Sequence, residues 1–109
     1  MSLPVSILDS AKYDLVSTRR KIISKFGDVV WLEVKKKFQD AFTRICEFPL
    51  LGLVPEEVEA LGIKNVRQVQ VNQTRVIYQI SDTAVYIHML VDTKRDFQTV
   101  LYDRVIKKF

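Results

Sequence analysis

The sequence predicts an α+β fold in which a helical hairpin packs on a small, mainly antiparallel sheet, in the order β-α-α-β-β-β-α. Apolar residues recur with a period near 3.6 in the first half of the chain and with a period of 2 from Val66 onward. Three glycines and three prolines punctuate this pattern, with Gly27 and Pro49 between predicted elements and Pro55 at the start of one. Helices that precede a three-stranded antiparallel meander are typical of α+β domains with the helices on one face of the sheet.

The length and composition indicate one globular domain, residues 1–109. A chain of this size can bury roughly two-thirds of its unfolded surface, which suits a sheet covered by a few helices. The hydrophobic fraction is 48%, and no apolar run approaches the roughly 18 residues of a membrane span. The first eight residues lack the pattern of a secretory signal, and a single cysteine, Cys46, cannot form an intrachain disulfide. We therefore expect a cytoplasmic protein that does not contact the membrane.

The charge balance indicates an acidic partner. The chain has 17 basic and 13 acidic residues, a formal net charge of +4 and a pI near 9.3. A surface of this kind attracts nucleic acid or an acidic protein segment. Many small basic proteins bind neither, so the charge alone leaves a solvated surface as the alternative.

The first half of the chain is predicted to contain a short strand, residues 4–8, and two helices. Ser10 can cap the first helix, which ends at Phe26 before Gly27. Its apolar face contains Leu15, Ile22 and Phe26. Asp28 can cap the second helix, residues 28–47. The apolar stripe of the second helix contains Val30, Trp31, Val34, Phe38, Ala41, Phe42 and Ile45.

The second half is predicted to form one helical turn, residues 55–61, and then a meander. The strands are residues 66–71, 74–81 and 84–92, and Asn72-Gln73 is the first turn. Alternation along the last strand predicts one face with Val85, Ile87, Met89 and Val91, and a second face with Tyr86, His88, Leu90 and Asp92. A terminal helix from about Asp96 can bury Phe97, Val100, Leu101 and Val105.

Three arginines are candidates for contact with a phosphate. Arg67 and Arg75, on two neighbouring strands, could project towards one sheet face, and Arg95 could reach them from the turn after the last strand. Such a cluster would stabilise the negative charge of a phosphate. The alternative is that these arginines are solvated or paired with neighbouring aspartates.

The other reactive residues give weaker signals. His88 is the only histidine, and without a second histidine or a nearby cysteine it does not suggest a metal site. Cys46, near the end of a helix, is more typical of a small core residue than of a nucleophile. The lysines at residues 35–37 point in successive helical directions and are typical of a solvated surface. We expect neither a metal nor a cofactor.

Several short motifs follow one another along the chain. After the helical hairpin come EFPLLG at residues 47–52, the strand with Arg67, TRVIYQI at residues 74–80 and DTKRD at residues 92–96. The order covers the chain from Val5 to about Ile106. In this order the sequence resembles the RelE/ParE superfamily of type II toxins, and the resemblance implies a co-expressed antitoxin that wraps the toxin with an extended or helical segment.

RelE-like members of the superfamily cleave mRNA in the ribosomal A site without a metal. If the chain is RelE-like, the resemblance therefore implies catalytic and phosphate-binding residues. The catalytic residues would then be Arg75, Arg95 and Tyr102, and the phosphate-binding residues Arg67 and Lys94. The match is incomplete. Tyr102 stands one residue beyond the family spacing, Thr93 replaces a glycine, and a second lysine on the strand of Arg67 has no counterpart. Arginine is also a poor proton shuttle because it stays protonated at neutral pH.

The ParE-like branch, whose members inhibit DNA gyrase, is the preferred interpretation. The Phe-Pro-x-x-Gly element and a helix with Leu-x-x-Arg at residues 101–104 are common there. The expected function is a plasmid-stabilisation toxin that inhibits growth through gyrase and forms a hetero-oligomer with a cognate antitoxin. A RelE-like endoribonuclease acting on ribosome-bound mRNA is the first alternative. A non-toxic protein-interaction module is the second.

Overall fold

The structure is a computed structural model that describes residues 2–106. Its first elements are one short strand and a helical hairpin. The elements are β1 (Val5–Ile7), α1 (Asp9–Phe26) and α2 (Asp28–Glu47). Gly27 alone joins α1 to α2 at a φ of 89°, a conformation that glycine adopts without a steric cost. Its N–H closes α1 on the carbonyl of Ile23, and its own carbonyl accepts the N–H of Trp31 in α2. The predicted hairpin is confirmed.

The two predicted helix caps are wrong. Neither helix is capped by a side chain. The Ser10 hydroxyl lies one residue inside α1 and donates to the carbonyl of His88, 2.9 Å away in the sheet. Asp28 is the first helical residue of α2 rather than its N-cap, because Gly27 occupies that position.

The chain then forms two short helical turns and the meander. A 3-10 turn (Pro49–Leu51) and α3 (Glu56–Glu59) precede β2 (Val66–Val71), β3 (Thr74–Ile80) and β4 (Val85–Asp92). The sheet order is β1-β4-β3-β2, in which β1 is parallel to β4 and the other pairs are antiparallel. The predicted α+β architecture with a mainly antiparallel sheet is confirmed.

One face of the sheet, here called the hairpin face, packs against α1 and α2. The stripe predicted for α2 supplies most of the helical side of this core: Trp31, Val34, Phe38 and Ile45 are buried, and Val30, Ala41 and Phe42 pack beside them. The sheet contributes Val71, Val76, Tyr78, Val85, Ile87 and Leu90. From α1, Leu15 and Ile22 join this core as predicted, whereas Phe26 is 66% exposed.

The predicted faces of β4 are wrong because the strand contains a β-bulge at His88. Tyr78 pairs with Ile87 and Ile77 pairs with Met89, so His88 has no partner residue on β3. One extra residue reverses the side-chain alternation beyond it. Leu90 therefore joins Val85 and Ile87 in the core of the hairpin face, while Met89 and Val91 pack on the other side of the sheet. On that other side, the Oε1 atom of Gln79 lies 2.9 Å from the Nε2 atom of the His88 imidazole.

The other face, here called the opposite face, is covered by α3 and α4 (Phe97–Leu101). Its core contains Val58, Val66, Ile77, Met89, Val91, Phe97, Val100 and Leu101. The terminal helix buries Phe97, Val100 and Leu101 as predicted, and the side chain of Val105 lies outside the described residues. Helices thus cover both faces of the sheet, so the expectation that they lie on one face is wrong.

Asp14 connects α1, the edge of β4 and the C-terminal segment. In the described chain no strand pairs with β4 beyond Ile87 on the β1 side. At this bulged edge α1 supplies one partner, because the Asp14 carboxylate accepts the N–H of Leu90 at 3.0 Å. A π-helical turn (Tyr102–Ile106) continues α4, and there the guanidinium of Arg104 donates to both Asp14 oxygens. This hydrogen bonding to Asp14 raises the pKa of Arg104 against the opposing effect of burial.

No helix among residues 2–106 is both long and apolar enough to cross a membrane.

We expect the substitution Asp14→Ala to lower the free energy of unfolding by about 3 kcal/mol, because it leaves the Leu90 N–H without an acceptor and the Arg104 guanidinium without its partner. Asp14→Asn keeps an acceptor for Leu90 and should cost about half as much. Urea denaturation followed by circular dichroism measures both. Asp9→Ala, at the exposed start of α1, is the control. A loss in Asp14→Ala no larger than in Asp9→Ala would contradict this role.

His88 should make the stability depend on pH. Burial lowers the pKa of His88 below its ordinary value of 6.5. The unfolded chain then binds the proton more readily than the folded chain. The free energy of unfolding is therefore at its full value above pH 6.5, and it falls as the pH decreases from 6.5 towards the lower pKa of His88 in the folded chain. Urea denaturation at pH 7.5 and pH 5.5 should show a larger decrease for the unmodified chain than for His88→Gln. Equal decreases would mean that His88 does not contribute.

Candidate functional site

The segment that carries the Phe-Pro-x-x-Gly element, residues 48–52, is held against the sheet by Tyr78. The buried Tyr78 hydroxyl donates to the Pro49 carbonyl at 2.8 Å and accepts the N–H of Gly52 at 2.9 Å. Burial raises the pKa of this phenol above 10.0, although the Gly52 N–H and the charge of Arg67 act in the opposite direction. The hydroxyl therefore remains a proton donor at neutral pH.

Gly52 is required because its backbone lies close to the sheet. A Cβ at this position would lie 2.5 Å from the carbonyl oxygen of Gln68 and 2.7 Å from the Tyr78 hydroxyl. Leu53, the next residue, forms an antiparallel bridge with Gln68 on β2. The Phe-Pro-x-x-Gly element is therefore a packing element, and its glycine provides space for the sheet.

Arg67 belongs to this same element. Its guanidinium donates to the carbonyl oxygen of Gly52 at 2.8 Å and approaches that of Leu50 at 3.4 Å. The pairing of Arg67 with Tyr78 places it on the hairpin face. The guanidinium of Arg67, a predicted phosphate-binding group, contacts backbone carbonyls here.

Arg75 lies on the opposite face of the sheet, where it pairs across the strands with Gln70. Its guanidinium forms an ion pair with Glu57 of α3 at 3.0 Å. It also lies over the ring of Phe97 in α4, 5.1 Å from the centroid. The expectation that Arg67 and Arg75 project towards one sheet face is therefore wrong.

Lys94 and Arg95 lie in the exposed turn between β4 and α4. The side chain of Asp92 shapes this turn by accepting the N–H of Lys94 at 2.9 Å. Tyr102, 54% exposed, lies beyond the turn at the start of the π-helical segment. The roles that the resemblance suggests for Arg75, Arg95, Tyr102, Arg67 and Lys94 in RNA cleavage stay predictions.

A groove of about 540 Å³ separates α1 and the start of α2 from the ends of β3 and β4. Its volume lies in the range of ordinary ligand sites. Apolar lining comes from Ile22, Phe26, Val30, Val34 and Leu90. Cationic lining comes from Lys21, Lys25, Lys94 and Arg95. This surface is called the basic groove below.

The acidic residues of the basic groove have partners of their own. Asp14 binds Arg104, and Asp92 accepts the backbone N–H of Lys94. Arg104 neutralises Asp14, whereas Asp92 keeps its negative charge, because a backbone N–H is a neutral donor. The four cations of the groove still outnumber this one carboxylate, so the groove can attract an anionic ligand.

Sequence reasoning missed Lys21 and Lys25 as groove residues. Their spacing of four places both on the same side of α1, one turn apart. Phe26, which follows them, was expected in the core. The available signal for these groove residues was a pair of lysines beside the apolar face of an amphipathic helix. Such a pair is also common on helices that only face solvent.

Among residues 2–106, no three His, Cys, Asp or Glu side chains lie together in an arrangement that could hold a metal ion. His88 faces Gln79 rather than a second titratable group. Cys46 was expected to be a small core residue; it is partly buried near the end of α2 and does not belong to either hydrophobic core.

The Tyr78 hydroxyl and the space at Gly52 can be tested separately. Tyr78→Phe should lower the free energy of unfolding by about 2 kcal/mol, because the buried N–H of Gly52 and the partly buried carbonyl of Pro49 lose their partner. Gly52→Ala should lower it further, because the new Cβ meets the backbone of β2. Thermal denaturation measures both, with the exposed Tyr13→Phe as the control. A wild-type melting temperature in Gly52→Ala would show that this close approach is absent in solution.

Comparisons with known proteins agree with this architecture. The family model for the ParE toxin of the type II toxin–antitoxin system, parDE, matches residues 5–97. A solved chain from the chromosomal ParDE toxin–antitoxin system of P. aeruginosa is similar with a TM-score of 0.68 and 10% identity, over 84% of this chain and 96% of that chain. At this identity the structural likeness shows a shared fold. A search of curated proteins found no match. Because the family model spans most of the sequence, the chain belongs to the ParE toxin family of type II toxin–antitoxin systems.

Proposed function

We propose that the protein is a cytoplasmic toxin that arrests growth by inhibiting DNA gyrase and is neutralised by a cognate antitoxin in a plasmid-stabilisation system. The observation that carries this proposal is the match of the ParE toxin family model over residues 5–97. The solved relative is described as part of a ParDE toxin–antitoxin system, which supports an antitoxin partner and a hetero-oligomeric complex.

The separation of the arginines supports gyrase inhibition over RNA cleavage. Arg75 lies on the opposite face with Glu57, whereas Arg95 lines the basic groove beside the hairpin face. Arg67 also lies on the hairpin face, but it is four residues away from Val71, the residue of β2 that pairs with Thr74. At 3.3 Å per residue, this separation along the strand is roughly 13 Å. A single phosphate therefore does not meet these three side chains together.

The available proton-transfer groups also favour a toxin that acts by binding. Cleavage at a 2′-hydroxyl needs a general base and a general acid near the reacting phosphate. Arginine stays protonated at neutral pH, and His88 lies at a strand bulge with Gln79 as its partner. Inhibition of gyrase through a protein contact requires no proton transfer by the toxin.

The decisive experiment is a supercoiling assay with the purified chain, DNA gyrase, ATP and relaxed closed-circular plasmid. We expect stoichiometric toxin to block supercoiling and to yield linear plasmid after detergent and protease treatment, because the toxin traps gyrase with the DNA cleaved. Heat-denatured toxin is the control. Full supercoiling at excess native toxin would refute the proposal.

A matched pair of variants separates the two targets in growing cells. Arg75→Lys and Tyr102→Phe change residues that a RelE-like site would use, while Arg75→Lys keeps the charge next to Glu57. Both variants should still arrest growth if gyrase is the target. Loss of arrest in both variants, together with mRNA cuts in the ribosomal A site by the unmodified chain, would establish the RelE-like alternative.

A further inference from the structure

We propose that the outer surface of the helical hairpin binds the phosphates of duplex DNA through a band of four cations. This outer band consists of Arg19 and Arg20 of α1 and Lys35 and Lys36 of α2. It is separate from the basic groove, whose lining contains none of these four residues. The inference rests on the proposed function only in taking the DNA held by gyrase as the source of this duplex.

The hairpin turn places the four cations side by side. Gly27 alone joins the two helices, so residues equally far from it along the chain lie at the same level. Arg19 and Lys35 are each eight residues from Gly27. Arg20 is seven residues before it, and Lys36 is nine residues after it. At 1.5 Å per residue, all four lie roughly 12 Å from the turn. Packed helices have axes about 8–10 Å apart, so the band crosses both helices.

Helical geometry turns the outer band away from the sheet. Nine residues make about two and a half turns, so two residues nine apart lie on opposite sides of a helix. Arg20 is nine residues after Ala11, and Lys36 is nine residues before Ile45. Ala11 and Ile45 are both buried in the core of the hairpin face. Arg20 and Lys36 therefore point away from that core, and the other two cations of the band are exposed beside them.

The outer band keeps its positive charge. Neither ion pair in the described part of the chain includes one of its cations. Beyond its first residue, α1 contains one carboxylate, Asp14, which Arg104 neutralises. In α2, Glu33 and Asp40 lie within four residues of Lys36, so the arginines of α1 are the less compensated half of the band. The two helices together contain nine basic and six acidic residues, and the hairpin therefore carries three of the four net positive charges of the chain.

Duplex DNA fits this surface better than a single strand does. A duplex carries one negative charge per about 1.7 Å of its axis, so several phosphates can reach a band of this width together. Two packed helices hold the cations at a fixed separation, which suits the regular phosphates of a rigid duplex. A single strand needs aromatic rings beside the cations for its bases to stack on. The exposed Tyr13 is seven residues from Arg20, roughly 10 Å along α1, so it does not lie within the band.

An anionic membrane surface also fits less well. Helices that lie on a membrane bury their apolar stripe in the bilayer interface while their cations contact the headgroups. The apolar stripes of α1 and α2 are turned to the sheet instead. Val29 and Leu32 are exposed, but they lie nearer to the tip of the hairpin than the lysines of the band do. The cations are therefore better placed for phosphates that approach the side of the hairpin.

The test measures binding of the full chain to a labelled duplex of about 20 base pairs by fluorescence anisotropy. If four phosphates are neutralised, the logarithm of Kd should rise with the logarithm of the salt concentration with a slope of about 3.6. Between about 50 and 200 mM salt, binding should therefore weaken roughly hundredfold. A slope below about 2, or no binding at the lower salt concentration, would overturn the proposal.

A matched pair of double variants tests the band itself. Arg20→Gln with Lys36→Gln should weaken duplex binding by about tenfold and lower the slope by about 2, because two phosphate contacts are lost. Arg44→Gln with Lys64→Gln is the control, since the net charge changes equally and both residues are exposed. Arg44 lies on the flank of α2 that faces β2, and Lys64 lies just before β2. Circular dichroism verifies that each variant is folded.

Equal losses in the two double variants would overturn the proposal, because binding would then follow the net charge rather than the band. Competition identifies the ligand class. An oligothymidylate of the same length, or vesicles of phosphatidylserine and phosphatidylcholine, should displace the duplex poorly. Either competitor binding more tightly than the duplex would also overturn the proposal.

The DNA surface and the gyrase target fail in different ways. In the supercoiling assay, Arg20→Gln with Lys36→Gln should need about tenfold more toxin for the same yield of linear plasmid, matching its loss of DNA affinity. Duplex binding through the band together with full supercoiling at excess toxin overturns the gyrase target alone. Blocked supercoiling together with equal DNA binding by both double variants overturns the DNA surface alone. An unchanged toxin requirement in the band variant overturns the action of the band on gyrase-held DNA.

Discussion

The carboxylate of Asp14 is the contact on which the other parts of this fold depend. It lies on α1, accepts the N–H of Leu90 at the bulged edge of β4, and binds Arg104 in the C-terminal segment. One buried charge therefore joins the helical hairpin, the strand edge and the segment that follows α4. It is tolerated because hydrogen bonds and an opposite charge compensate its desolvation. The basic groove begins at this contact, since Asp14 and Leu90 both line it.

The family motif and the groove serve different purposes on the same face of the sheet. Tyr78 and Arg67 use their polar atoms to hold residues 48–52, which is a structural task. The groove leaves its cations facing solvent. A basic residue that matches a family position can therefore be structural, as Arg67 is. The groove combines two cations from a motif, Lys94 and Arg95, with two lysines outside any motif, Lys21 and Lys25.

The element order could be predicted because periodicity and chain breaks are local properties of the sequence. The faces of β4 could not, because no local signal marks His88 as the extra residue of a bulge. The separation of Arg67 from Arg75 was accessible in principle. A two-residue turn pairs Val71 with Thr74, and counting outward from it puts the two arginines on opposite faces. The groove lies between α1 and the turn after β4, and sequence spacing does not reveal that these two elements are neighbours.

The parallel pairing of β1 with β4 has a consequence for the order in which the sheet forms during synthesis. Val5 pairs with Val85, so β1 has no strand neighbour until residue 85 has left the ribosome. Contacts of such high sequence separation form late and slowly, because a long loop must close first. A nascent chain that ends before residue 85 lacks both the edge for β1 and the acceptor for Ser10. The helical hairpin is therefore synthesised well before the strand edge against which it and β1 pack.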